Sequence, residues 1–320
     1  MRDQKTYIYL DQCVVSRLLD RPSNASWLPV RELLFRGNAQ KRIVCPYSLE
    51  HLVESSSMPE KDAIAADDIL RQLSLGYSLR LEPFLIAAQI NAVLRNTKLG
   101  AADFLEPIPF KPLSAPKVLA AHQSSKGDLD RFNDNLMRGV NQFNALFRGG
   151  RRPSRETLRG LLTLVQQKHT RALRADVQNA IRDGAITITA PHDIPGVPTV
   201  SSSVVYRLFE THQIQPAELV TLDRFLSSAG VLFIPFYQVK VALEACRTWQ
   251  QQNIEPGDQY DDTRIACALP FVDILITDGS AASTVREANL DRFFGVKVFS
   301  TKDRERSALI AALTNAVDPC

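Results

Sequence analysis

The sequence predicts an α/β protein with a central parallel sheet and a large, mainly helical insertion, and three observations carry that expectation. Short apolar runs (TYIYL at 6–10, RIVC at 42–45, DILIT at 273–277 and VKVFS at 296–300) alternate with helix-patterned segments at both ends of the chain. These runs are apolar throughout, as parallel strands covered on both faces are. The middle of the chain, by contrast, reads as helices separated by the proline-rich connections around Pro107, Pro109, Pro112 and Pro116 and around Pro191, Pro195 and Pro198. The expected organisation is therefore a discontinuous domain of residues 1–85 with 236–320, and residues 86–235 as a helical insertion or second lobe.

The elements follow in order. Thr6 to Leu10 is β-branched and aromatic and stops at Asp11, after which VVSRLL has helical spacing. Trp27 to Phe35 reads as a helix, Gly37 and Asn38 punctuate it, and Arg42 to Cys45 is a short buried strand. Pro46 opens the helix YSLEHLVESS, Glu60 to Leu73 forms the next, and YSLRLEP reads as a strand that stops at Pro83. After the insertion, Pro256, Gly257 and Asp258 open a helix through Ala268, and Asp273 to Thr277 is a buried strand. Ala281 to Glu287 is helical, Val296 to Ser300 is a strand, and Asp303 to Ala316 closes the chain as a helix.

Composition narrows the class without naming a chemistry. At 45% hydrophobic and 23% charged the chain is an ordinary globular protein. Its 38 basic residues nearly balance 35 acidic ones, so attraction for a polyanion must come from local clustering. Five cysteines lie far apart with no C-x-x-C pair, which fits free thiols in a reducing compartment better than disulfides or a zinc site. The opening residues run straight into a strand, with no signal-peptide pattern, and the most apolar stretch, near 230–245, is broken by Pro235 and Lys240. A cytoplasmic protein without membrane association is expected.

Acidic residues carry the candidate chemistry. Asp11, Glu54, the group Asp258, Asp261 and Asp262, and Asp278 sit at the ends of strands or in the turns that follow, where open α/β sheets place their sites. Converging carboxylates with no histidine or cysteine partner suit a hard cation, Mg2+ or Mn2+. Each acid also has a plainer reading: Asp11 as a helix cap, Glu54 or its neighbour Glu50 as a solvated helix residue, and Asp278 as the first residue of an Asp-Gly turn. Asp258, Asp261 and Asp262 share a helix face at spacings of three and four, so their mutual repulsion calls for a compensating charge, which a cation or the helix N-terminus supplies. P-loop and H-E-x-x-H motifs are absent, and a haloacid-dehalogenase-like reading fails because Cys13 stands where a second aspartate belongs.

The segments YLDQC (Tyr9 to Cys13), PYSLEHLVE (Pro46 to Glu54) and GDQYDDTRIACALPFVDILITDG resemble the PIN-like nuclease superfamily. They are closest to a bacterial branch with a YLDQN strand end and a P-x-S-x-x-H-x-x-E helix. The resemblance covers about residues 6–75 and 255–300 and implies a three-layer PIN-like fold. It selects Glu54 over Glu50 and implies that Asp11, Glu54, Asp262 or Asp261, and Asp278 ligate Mg2+ or Mn2+, with Asp258 close by, for hydrolysis of RNA and less often DNA. It also places His51 beside Glu54. Two positions depart from the branch: Cys13 replaces its asparagine, and a T-x-D ending would put the last acid at Gly279.

Within the insertion, Arg148, Arg151, Arg152, Arg155 and Arg159, with Lys168, Arg171 and Arg174 further on, form a basic run interrupted by Glu156. Such a run offers phosphate contacts, although most charge runs are solvated helix faces. The resulting expectation is a metal-dependent endoribonuclease, in the manner of toxin or defence nucleases. Nucleic acid is the main partner, RNA before DNA, with an inhibitory or regulatory protein and self-association as further partners the reading allows. The alternatives are an inactive nucleic-acid-binding or scaffold protein of the same fold and a phosphatase-like phosphoryl-transfer enzyme.

Overall fold

The computed structural model describes residues 5–55, 58–109, 112, 154–182, 204–250 and 256–318. The chain divides into two compact units, Met1–Leu79 with Leu105–Gly139 and Phe271–Cys320, and Arg80–Phe104 with Val140–Pro270.

The first unit is α/β. Four parallel strands, β1 (Thr6–Leu10), β2 (Ile43–Val44), β5 (Ile274–Thr277) and β6 (Lys297–Ser300), stand in the order β2-β1-β5-β6. Leu10 pairs with Ile276 and Thr277 with Ser300, so the ends of the three longer strands are level. Ile8 and Leu10 point to one face by the two-residue period of a strand. There they join a core with Val14 and Leu18 of α1 (Gln12–Leu18), Leu34 of α2 (Leu28–Ala39), Leu70 of α4 (Glu60–Leu73) and Leu313 near the chain's end. Tyr9 points to the other face and stacks on His51 of α3 (Leu49–Ser55), with ring centroids 5.5 Å apart.

The punctuation expected at Gly37 and Asn38 does not occur: α2 runs through both to Ala39. At Gly37 α2 lies close against its neighbours, since a Cβ there would lie 2.5 Å from Ile43 Cδ1, 2.8 Å from Ile43 Cγ1 and 3.0 Å from Val317 Cγ2. Asn38 is buried and donates its side-chain amide to the carbonyls of Leu73 (2.8 Å) and Ile43 (3.3 Å), so it bonds tertiary neighbours rather than breaking its helix. The strand expected over YSLRLEP is shorter, β3 (Tyr77–Leu79), and pairs antiparallel with β4 (Leu105–Pro107). Pro83 does not end a strand but occupies the first turn of α5 (Glu82–Leu94), where its missing N–H costs nothing.

The second unit is helical among the described residues. Besides α5 and the short α6 (Ala101–Phe104) it contains α7 (Arg155–Arg182), α8 (Val204–His212), α9 (Pro216–Ala229), α10 (Pro235–Trp249) and α11 (Pro256–Ala268). Helix α7 packs on α9 and α10, α10 on α11, and α5 on α8. Residues 236–270, which the sequence groups with the sheet, fall in this unit because α10 buries one face against α7 and another against α11. Among the described residues no helix is long and apolar enough to cross a membrane.

Candidate functional site

Chain order and sheet order disagree at one place. From β1 the chain moves to β2 on one side, whereas β5 lies on the other side of β1 and leads outward to β6. The strand order therefore reverses between β1 and β5, and open α/β sheets bind ligands in the crevice at the carboxyl ends of the strands flanking such a reversal. Asp11 and Asp278 are the residues that follow those two strands.

Asp11 is 9% exposed and stands at the N-cap of α1, with Val14 and Val15 N–H bonded to its carbonyl. Its side chain caps nothing. Instead Oδ2 accepts a hydrogen bond from the fully buried Thr277 hydroxyl at 2.5 Å, across the β1–β5 pairing. Asp278 behaves differently: as the N-cap of α12 (Gly279–Glu287) it accepts the N–H groups of Ser280 (2.5 Å) and Ala281 (3.1 Å). Both bonds land on Oδ1, and Oδ2 takes neither.

Helix α3 is tied to the same strand end. His51 is fully buried, and its Nε2–H donates to the carbonyl of Leu10 at 2.6 Å. Its Nδ1 accepts the N–H of Ser48 at 3.0 Å, and this pair of partners assigns the neutral Nε2–H tautomer. Tyr9 Oη and Ser48 Oγ lie 3.4 Å apart, and Gln12, the residue after Asp11, donates its side-chain amide to Ser55 Oγ at 3.1 Å. Partly buried Glu54 lies between these two tethers, three residues after His51 and one before Ser55. The P-Y-S-x-x-H-x-x-E spacing thus has a physical meaning: serine and histidine anchor the first turn of the helix, and the glutamate follows on the next. The side chain of Glu50 lies outside the described residues.

The remaining sequence-predicted acids belong to the helical unit. Asp262, on α11, is 1% exposed, and its Oδ1 accepts Arg247 Nε from α10 at 2.8 Å. Burial outweighs the attraction of Arg247 and Lys240 and pushes the Asp262 carboxyl up to about 6. Asp261 pairs with Arg264 at 3.0 Å, and the side chain of Asp258 lies outside the described residues. Two arginines thus sit against the acidic face of α11, where the sequence reading placed a cation or the helix N-terminus. Their recruitment was illegible locally for Arg247, which comes from a different helix.

Close by in the same unit, Lys240 Nζ donates to Thr263 Oγ1 at 2.7 Å, and Glu244 Oε2 is 3.1 Å from both Lys168 Nζ and His169 Nε2. Burial acts to raise the Glu244 carboxyl, but His169, Lys240 and Lys168 together hold it down to about 2. The basic run is accordingly divided. Lys168 pairs with Glu244 and Arg174 with Asp223 at 2.8 Å, while Arg155, Arg159 and Arg171 are exposed. Arg148, Arg151 and Arg152 lie outside the described residues.

Among the described residues no group of three or more histidine, cysteine, aspartate or glutamate side chains is gathered closely enough to hold a metal ion. Comparison of the chain with family models, with curated proteins and with solved structures gives no match.

Proposed function

We propose that this chain is a PIN-like, metal-dependent nuclease that hydrolyses RNA phosphodiester bonds, with Asp11, Glu54 and Asp278 as its acidic centre. The observation that carries the reading is the reversal of strand order between β1 and β5, with Asp11 and Asp278 following those two strands. The tethering of α3 by His51 and Gln12 supports adding Glu54 to the same edge.

The donor set fits a hard cation. It consists of carboxylate oxygens, and Mg2+ commonly takes one or two carboxylates, keeps several waters and leaves further positions to substrate phosphate, so a preassembled cage of protein ligands is not required. Asp11, Glu54 and Asp278 Oδ2 are the groups that would hold it, and when bound it supplies Lewis acidity and an activated water. The protein's own part is orientation. The Thr277 hydroxyl fixes the rotamer of Asp11, the first turn of α12 fixes Asp278, and the buried His51 fixes the helix that carries Glu54. Asp262 is left out of this centre because its carboxylate is engaged by Arg247.

Cleavage of end-labelled single-stranded RNA and DNA in Mg2+ or Mn2+ tests the reading. Asp11→Asn keeps an acceptor for Thr277 and should fold, yet it should lose at least about 100-fold in rate, more than the loss of a mere supporting residue, and Glu54→Gln should behave alike. Equal cleavage by wild type and both folded variants would refute the assignment. A second reading, a protein of this fold that binds nucleic acid without cutting it, is favoured by the capping role of Asp278 and the ion pair of Asp262. Metal-independent RNA binding without cleavage would select it.

A further inference from the structure

On the far side of Asp278 the sheet unit contains a groove of about 250 Å3 lined by Gly279, Ser283, Arg286, Glu287, Lys302, Arg304 and Glu305. Its walls are α12 along its whole length, from Gly279 to Glu287, and the turn that leads from β6 into α14 (Asp303–Val317), α13 being the short helix Leu290–Phe294 before β6. Its Gly279 and Lys302 follow closely on the carboxyl ends of β5 and β6. Arg286 and Glu305 neutralise each other through two bonds of 2.9 and 2.7 Å, and Arg286 also donates to the carbonyl of Val298 at 2.5 Å. That pair is a fixed part of the wall.

Lys302 and Arg304 are different. Both are exposed, and among the described residues neither has a carboxylate within ion-pair range. Lys302 lies across Gly279: a Cβ added to that glycine would clash with Lys302 Cε and stand 3.0 Å from its Nζ. A side chain at 279 would displace the end of Lys302 from this position over the start of α12, so the glycine leaves room for it. Lys302 is also the N-cap of α14. Three cationic side chains, Arg286, Lys302 and Arg304, thus line the groove against two carboxylates, Glu287 and Glu305, and Lys302 stands at the positive end of α14, so the lining carries a net positive charge that favours an anion.

We propose that this groove seats a phosphate of the substrate strand, gripped by Lys302 and Arg304, next to the bond presented to Asp11, Glu54 and Asp278. The inference rests on the nuclease reading and adds to it a direction for the strand, from the β1–β5 edge outward over β5 and β6. Polyanion backbone is the class of ligand that fits. The groove offers charges and a hydroxyl, with no aromatic surface for a base, so the contact is independent of sequence.

The test is fluorescence anisotropy of a labelled 12-nucleotide single-stranded RNA across a salt series, with cleavage measured on the same preparations. The proteins are wild type and the Lys302→Ala/Arg304→Ala double variant. Each single-strand phosphate contact contributes a slope of about 0.7 in log K against log salt. Losing two should flatten the slope by about 1.4, equivalent to roughly 25-fold weaker binding at 0.1 M salt, with KM rising by a similar factor and kcat changing little. The substituted side chains are exposed, so melting should be unchanged. A wild type that binds and cuts, paired with a double variant of unchanged slope and KM, overturns the groove and leaves the nuclease standing. A wild type that neither binds nor cuts RNA or DNA overturns the nuclease reading, and the strand subsite with it.

Discussion

His51 offers the sharpest test of how the β1 edge is built. His51→Ala removes the donor to the Leu10 carbonyl and the acceptor of the Ser48 N–H, both in a fully buried setting. Each of the two stranded backbone groups costs about 1–3 kcal/mol, and the cavity between Tyr9 and Tyr47 adds about 1 kcal/mol, so the expected loss is about 3–7 kcal/mol. Because the chain has two units, the loss should fall on one transition and not on a single global one. The two tryptophans separate them: Trp27 is buried in the sheet unit and Trp249 in the helical one, so urea unfolding in a Trp249→Phe background reads the sheet unit alone. A glutamine amide nitrogen reaches the position of Nε2, and an asparagine amide reaches that of Nδ1. His51→Gln should therefore keep the tether to Leu10 and retain more cleavage than His51→Asn. A loss below about 1 kcal/mol for the alanine variant, or equal activity of the two amide variants, would refute the claim that this tether positions Glu54.

Three further outcomes are expected. Gly37→Ala should destabilise the sheet unit by about 1–3 kcal/mol in the same urea assay, because the new methyl meets Ile43 and Val317 at the α2–α14 contact, and an unchanged midpoint would contradict that packing. Arg247→Ala should cost the helical unit about 3–5 kcal/mol, read from Trp249 in a Trp27→Phe background, since it leaves the Asp262 carboxylate buried without that partner. The two units should also respond to acid over different pH ranges in melting experiments. Asp262 is raised to about 6, so its folded form holds a proton more tightly than the unfolded chain does, and the helical unit should gain stability as pH falls from 7 to 5. Below about 4.5 the depressed Glu244 reverses that gain. In the sheet unit the Arg286 bridge holds Glu305 down to about 2, so its stabilisation, roughly 1–3 kcal/mol, is intact above about 4.5 and lost as pH falls toward 2. A sheet unit that gains stability over that last interval would refute the sign.

The elements legible in the sequence were those whose signal is local. TYIYL and DILIT announce buried strands, and the helix opened by Pro256 ends at Ala268 as its pattern indicates. What misled was residue type read without its neighbours. Gly37 and Asn38 look like a helix end, yet one permits a close contact with Val317 and the other bonds the carbonyl of Leu73, both distant in sequence. The acids of α11 look like a metal face, but Arg247 on the preceding helix engages one of them. Thr277 went unnoticed as a partner of Asp11 because the two are 266 residues apart, although the T-D pair was visible.

The sequence by itself determined the α/β class and the positions of Asp11 and Asp278 directly after apolar strands, because strand patterning and its interruption are properties of a few consecutive residues. Only the tertiary structure decided that β1 and β5 are neighbours, that the strand order reverses between them, that Asp278 caps a helix and that Asp262 lies in a buried ion pair. Strand order and charge pairing depend on which surfaces meet once the chain has collapsed. No local pattern encodes that choice, because the free energy that makes it comes from burial and hydrogen bonds between segments hundreds of residues apart.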